Sequence, residues 1–251
     1  MNKEEILLRK RLIELSNQAY TKDIVTFSDF LNLNELNILH TTPKDMFPAR
    51  YETFGGYESS ERQMVAFLPD ALYYEYIYPI QIVEISPANT KFAEDLSHRD
   101  YLGAIINLGI ERCKLGDILL QEQKALLFAR KEISSYIAEN LSCIRHTTVT
   151  ANILETTCIS YEPRFQEITG NVASIRLDTV LTVAFPMSRS KMCAYIENGK
   201  VFVNGKLITS NGYHIKENDI ISVRGLGRIK FIEVLSETRK GRYMVSIYKY
   251  I

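Results

Sequence analysis

Apolar and polar positions divide the chain into three zones. Over 1–15, Ile6, Leu8, Leu12 and Ile13 recur among Glu4, Glu5, Arg9, Lys10, Arg11 and Glu14, which predicts a charged amphipathic helix rather than a signal peptide. Leu31, Leu33, Leu36 and Leu39 supply a second helix, with Ser28 or Asp29 as its cap. Pro43 and Pro48 break that pattern, and Phe54-Gly55-Gly56-Tyr57 reads as loop. The first zone, 1–70, is expected to be mainly helical. The second, 71–160, switches repeatedly between periods. A strand over 80–85 closes at Ser86-Pro87. A helix over 97–109 gathers Leu102, Ile105, Ile106 and Leu108 on one face, with Gly109 as its C-terminal stop. Strands over 117–121 and 125–130, a helix over 131–141 and a strand over 147–154 follow. This β-α-β-β-α-β order is that of the ferredoxin-like or RRM-like sandwich. Residues 161–173, with Pro163 and Gly170, are expected to be a linker.

The third zone, 174–251, is the most informative. Ser174 is the expected N-cap of a helix whose Leu177, Val180, Leu181 and Ala184 form a buried stripe, leaving Arg176, Asp178 and Thr179 off it. Phe185-Pro186-Met187 ends that helix. Ser188 caps another, with Arg189, Ser190 and Lys191 in its first turn and Asn198-Gly199 as its stop. Val201 and Val203 then face Leu207 and Ile208 across Asn204-Gly205, the signature of a two-residue type I′ hairpin. Strands over 220–224 and 229–235, joined by Gly225-Leu226-Gly227, complete the reading. The expected fold class is α+β.

Charge adds a direction to this outline. The chain is formally neutral, with 30 Lys+Arg and 30 Asp+Glu, but the two signs are unevenly placed. Residues 1–173 hold 17 Lys+Arg against 24 Asp+Glu, a balance of −7, and 174–251 hold 13 against 6, a balance of +7. A basic end on an acidic body points to a polyanionic partner. Arg189 and Lys191 sharpen the point, because cations in the first turn of a helix oppose its dipole at a cost of about a few tenths of a kcal/mol. A bound phosphate would reverse that cost, since charge-assisted hydrogen bonds contribute about 1.5 to 3 kcal/mol each. No apolar run is long enough to span a bilayer. Cys113, Cys143, Cys158 and Cys193 are widely spaced and form no CxxC pair, so reduced thiols in the cytoplasm are expected. His40, His98, His146 and His214 stand apart, which makes no metal cluster legible.

Over about 50 residues the third zone resembles the S4 RNA-binding domain. The matching residues are Ile175-Arg176-Leu177-Asp178-Thr179-Val180-Leu181, Met187-Ser188-Arg189-Ser190-Lys191, and the run from Ile196-Glu197-Asn198-Gly199 through Val203-Asn204-Gly205-Lys206. The resemblance implies RNA contacts by Arg176, Ser188, Arg189, Ser190, Lys191, Lys200, Asn204 and Lys206, over a core of Leu177, Leu181, Ile196, Val201 and Val203. An S4 domain behind an RRM-like domain carrying His98-Arg99-Asp100-Tyr101-Leu102-Gly103, Leu108-Gly109-Ile110-Glu111-Arg112 and Gly116-Asp117-Ile118 looks like the bacterial YlmH family. That likeness implies structured RNA as the partner, both rRNA and tRNA on the large ribosomal subunit, in rescue of stalled ribosomes, with a gene-neighbourhood link to cell division. With no export signal, no cofactor loop and no placed catalytic Asp legible, a cytoplasmic, non-enzymatic protein without a cofactor is expected.

Other motifs are imitations. His98-Arg99-Asp100 resembles a kinase catalytic loop, but Ile105 stands where the metal-binding Asn belongs and no glycine-rich phosphate loop exists. His98 and Arg99 are therefore secondary RNA contacts or packing residues, a choice the sequence leaves open. Pro186-Met187-Ser188-Arg189-Ser190 imitates a synthetase signature loop without its leading Lys. Gly225-Leu226-Gly227 precedes a strand and lacks the third glycine of a dinucleotide fingerprint. The RRM aromatic signature is absent, so base stacking on that sheet is not expected. The competing readings are an RNA-modifying enzyme (a pseudouridine synthase or methyltransferase with an S4 targeting domain) and a cell-division-linked adaptor.

Overall fold

The computed structural model describes residues 3–156, 159, 165–238 and 241–250. The chain divides into two compact units, Met1–Tyr161 and Glu162–Ile251.

The first unit opens with α1 (Lys3–Lys22), which buries Leu12, Leu15, Ser16 and Ala19 along one stripe. The short β1 (Thr26–Phe27) leads to α2 (Leu33–Thr41), then to β2 (Arg50–Phe54) and β3 (Met64–Leu68). These strands form an antiparallel sheet in the order β1-β3-β2, so the zone read as mainly helical carries 29 residues in its two α-helices and also a three-stranded sheet of 12. Every residue of β3 is buried, and an apolar run so short carries no periodicity to separate strand from helix. The cap of α2 is Asn32 rather than Ser28 or Asp29. Its Oδ1 accepts from the backbone N–H of Asn34 (2.9 Å) and Glu35 (3.2 Å), while the Glu35 carboxylate accepts from Asn32 N–H at 2.6 Å. Ser28 and Asp29 serve tertiary contacts instead. The Ser28 hydroxyl accepts from Val65 N–H, and Asp29 binds Lys114 (2.9 Å) and Arg130 (2.7 Å).

The sandwich follows as expected: β4 (Ile80–Pro87), α3 (His98–Asn107), β5 (Leu115–Gln121), β6 (Lys124–Arg130), α4 (Lys131–Asn140), a short β7 (Cys143–Ile144) and β8 (Thr147–Ile153). The strands run antiparallel in the order β5-β6-β4-β8-β7, the ferredoxin-like arrangement with a short edge strand added. Alternation along β4 and β6 sends Val83, Ile85, Leu127 and Ala129 toward Tyr101, Ile105 and Ile137 of the helices. Ile80, Ile82, Leu126 and Phe128 point the other way, where Phe30, Tyr57 and Met64 cover them. The Tyr57 and Phe128 ring centroids are 5.2 Å apart. At Gly56 (φ +102°) a Cβ would fall 2.2 Å from the Phe128 ring, so only glycine allows this closure. The chain's own N-terminal segment thus occupies the surface on which RRM domains stack bases.

The second unit comprises β9 (Phe165–Val172), α5 (Leu177–Ala184), α6 (Arg189–Glu197), β10 (Val201–Val203), β11 (Lys206–Leu207), β12 (Ile220–Val223), β13 (Gly227–Glu237) and β14 (Tyr243–Tyr250). They form one antiparallel sheet, β11-β10-β12-β13-β14-β9. The expected linker is corrected here: from Phe165 it is a strand, paired along its whole length with β14, from Phe165↔Tyr250 to Val172↔Tyr243. Its partner lies far along the chain, which no local pattern announces. Pro163 and Cys158 lie outside the described residues. Ser174 is not the cap of α5. Arg176 and His214 form a bridge, and Leu177 N–H donates to Tyr213 C=O at 2.8 Å, so the backbone stays extended until Arg176, which takes the cap position. The expected core residues Leu177, Leu181, Ile196, Val201 and Val203 are all buried, together with Val172, Ile221, Phe231 and Ile247. The α+β class is borne out. Among the described residues no helix is long and apolar enough to cross a membrane, and no three His, Cys, Asp or Glu side chains are grouped to hold a metal.

Candidate nucleic-acid interface

The site is built on the junction between α5 and α6. Phe185-Pro186-Met187 separates the two helices, and Ser188 restarts the chain, its hydroxyl accepting from Lys191 N–H at 3.4 Å and lying 3.2 Å from the Ser190 hydroxyl. Ser188, Ser190 and Lys191 are exposed in this first turn.

Asp178, read from the sequence as lying off the buried stripe, is 1% exposed. Its carboxylate accepts from Arg176 Nε (3.2 Å) and Nη2 (3.4 Å), and from Arg189 Nε (2.9 Å) and Nη2 (2.5 Å). Two cations on one anion leave a local surplus of one positive charge. The side chains of Arg176 and Arg189 remain 37% and 59% exposed. Each guanidinium has five N–H donors in a fixed fork, so donors are left over for a second anion. The hydrogen bonds that Arg189 donates to Asp178 also raise the Arg189 pKa above its ordinary value. The cation at the start of α6 is therefore compensated from within the fold by Asp178, a correction to the reading in which a bound phosphate alone would offset it. Lys191 has no such compensation: it makes no ion pair with the described residues.

The hairpin supplies a second group. Asn204 (φ +49°) and Gly205 (φ +77°) form the expected I′ turn. The Asn204 amide is committed internally, however: Nδ2 donates to Asp219 Oδ1 at 2.8 Å and Oδ1 accepts from Ile220 N–H at 2.9 Å. Its geometry is that of a stitch between the hairpin and β12. Lys206 is exposed and makes no ion pair with the described residues. Lys200 is exposed with its ammonium 4.9 Å from the centroid of Tyr195, and its carbonyl accepts from Arg224 N–H. Arg224, which sequence reasoning missed, lies over Phe202 at 5.4 Å. The structure thus joins Arg176 to Arg189 through the shared Asp178 carboxylate and places Ser188, Ser190 and Lys191 beside Arg189 on one helical turn. Lys200, Asn204 and Lys206 belong to the hairpin.

The second candidate group lies in the first unit. The Asp100 carboxylate accepts from Ser97 N–H (2.9 Å) and Oγ–H (2.6 Å) at the start of α3 and pairs with Arg145 at 3.2 Å. Burial, then the neighbouring Arg112, depress the His98 pKa, with Asp117 opposing. Arg99 is exposed.

Comparison with known proteins supports the RNA-binding reading. The family described as "Putative RNA-binding domain in YlmH" matches residues 75–158, and the S4 domain matches 175–221. The chain carries the YlmH pair of domains. The resemblance drawn from His98–Ile118 and from the S4 motif is borne out, and RNA binding is the function of this YlmH-type pair. A curated relative, "Ribosome-associated protein quality control protein P2" of Bacillus subtilis (strain 168), is 29% identical over 197 residues, covering 76% of this chain and 75% of that protein. Among solved structures, the cell division protein ylmH from Streptococcus pneumoniae is similar at 24% identity with a TM-score of 0.48, covering 61% of this chain and 93% of that one.

Proposed function

We propose that this protein grips rRNA and tRNA on the large ribosomal subunit, in the cytoplasm, during rescue of stalled ribosomes, and that it does so without catalysis. The observation that carries the reading is the shared Asp178 carboxylate, which holds Arg176 and Arg189 side by side with free donors facing outward. The ribosomal assignment is supported by the name of the Bacillus subtilis relative. Arg176, Ser188, Arg189, Ser190, Lys191, Lys200 and Lys206 act on the phosphate backbone, and Asn204 acts through the hairpin it stitches.

If about 3 to 5 phosphates are neutralised, log Kd against log salt has a slope of magnitude about 3 to 4. A salt-insensitive affinity overturns the assignment. Crosslinking with sequencing of the bound RNA is expected to return rRNA and tRNA reads. Incubation with those RNAs, with and without a methyl donor, is expected to leave their nucleosides unchanged; a new modified nucleoside favours the modifying-enzyme reading instead.

A further inference from the structure

A domain matched as RNA-binding has to offer RNA a surface, yet its sheet is packed by α3 and α4 on one face and by Phe30, Tyr57 and Met64 on much of the other. The strip of the second face left open along β8 shows Thr148, Thr150 and Asn152, with no aromatic ring to receive a base. The grip has to lie elsewhere.

We infer that this domain receives an unpaired nucleotide of RNA in the cleft between α3 and the turn from α4 to β7. The inference rests on the RNA-binding reading above and extends it to the first unit. The cleft has a volume of about 520 Å³ and is lined by Arg99, Gly103, Asn107, Asn140, Ser142 and Arg145 among others. Two guanidiniums suit a phosphate, and amide and hydroxyl side chains suit the polar edges of a base and the 2′-hydroxyl of a ribose. Leu108 and Leu141 supply apolar wall.

The lining also divides the His98-Arg99-Asp100 motif into separate roles. His98 belongs with Arg112 and Asp117, away from the lining. Asp100, which also lines the cleft, fixes the start of α3 through Ser97 and holds Arg145 in place, so the lining carries a net positive charge of one from Arg99. Arg99 lines the opening and makes no ion pair with the described residues. Gly103 gives an independent indication. It lies inside α3, where glycine is a poor helix former, and a Cβ built on it meets no atom within 4 Å. Packing does not require this glycine, and a side chain placed there would project into the open space of the cleft.

The test uses the full chain and two fluorescent probes, an RNA hairpin with an unpaired loop and a blunt duplex of the same stem. Gly103→Phe fills the cleft without displacing backbone, and Arg99→Ala removes one guanidinium without breaking an ion pair. Each is expected to weaken hairpin binding about tenfold, with duplex affinity and thermal midpoint unchanged. Arg99→Ala also lowers the magnitude of the hairpin salt slope by about 1. Wild-type hairpin affinity in both variants overturns the cleft, as does equal weakening for hairpin and duplex. Arg176→Ala/Arg189→Ala, run in parallel, separates this outcome from failure of the main reading: if that variant loses RNA while the cleft variants do not, only the cleft is wrong.

Discussion

Two pairs of arginines in this molecule have opposite fates. In the first unit Arg62 is 9% exposed and donates to the carbonyls of Leu115 (2.8 Å), Phe30 (3.0 Å) and Arg112 (3.2 Å). Arg112 donates to the Leu115 and Gly116 carbonyls, and burial with the adjacent Arg62 lowers its pKa to about 10. Asp117 stands close to both and accepts from Tyr57 Oη–H, Glu61 N–H and Arg62 N–H. These cations tie three chain segments together. In the second unit Arg176 and Arg189 share a single buried carboxylate and keep much of their surface in solvent. The difference shows that an arginine keeps donors for a second anion when the fold anchors it without using them all.

The largest expected effect tests the structural pair. Arg62→Ala removes a donor from three carbonyls, of which Leu115 keeps Arg112 and Arg112 keeps Leu115 N–H, and is expected to cost about 3 kcal/mol of stability, read as an earlier urea midpoint for the first unit. RNA affinity in dilute buffer should hold; a selective loss of binding without loss of stability would merge the two pairs into one class. Next, Arg176→Ala/Arg189→Ala should lower RNA affinity by about tenfold to a hundredfold, with a smaller salt slope and little change in far-ultraviolet circular dichroism.

Asp178→Asn is a sharper test of smaller size. The substitution raises net charge by one, so long-range attraction alone predicts tighter binding. Loss of the anchor predicts binding about threefold to tenfold weaker. In the Arg176→Ala/Arg189→Ala background the substitution should leave affinity unchanged, and a persistent loss there would reduce Asp178 to a packing role.

The smallest effect is a pH dependence in the first unit. Burial acts to raise the Asp29 pKa, but hydrogen bonds and charges from Lys114 and Arg130 outweigh it and hold the carboxyl below 3.8. A carboxyl lowered on folding stabilises the native state above its unfolded pKa and loses that contribution as pH falls toward the folded value. The urea midpoint should therefore fall below about pH 4, less steeply in Asp29→Asn than in wild type. Equal slopes would remove Asp29 from the network.

Much of the architecture could be read from local pattern. The sandwich order came from the alternation of 80–85, 125–130 and 147–154 with two helical stretches, and the Asn204-Gly205 hairpin from two residues that tolerate positive φ. The misses share a cause. Strand β3 is a short apolar run without periodicity, strand β9 was read as linker because its partner is β14, and α5 begins at Leu177 because Tyr213 and His214 claim the backbone before it. The partners of the Asn204 amide, Asp219 and Ile220, were likewise hidden, because only folding brings them near. In the site itself the arginines were visible and their anchor was not, since Asp178 lies off the apolar stripe of its helix in the sequence and is buried only by tertiary packing.

By itself the sequence determined most of the element order, the basic C-terminal end and the residue types suited to phosphate, because periodicity, turn chemistry and net charge are properties of neighbours along the chain. Tertiary structure alone decided which charges remain usable. Burial of Asp178 between two guanidiniums, closure of Tyr57 and Phe128 over the sheet, and saturation of Arg62 by distant carbonyls all depend on groups that meet only after folding. Desolvation and hydrogen-bond geometry act through space, and spacing along the chain does not encode them.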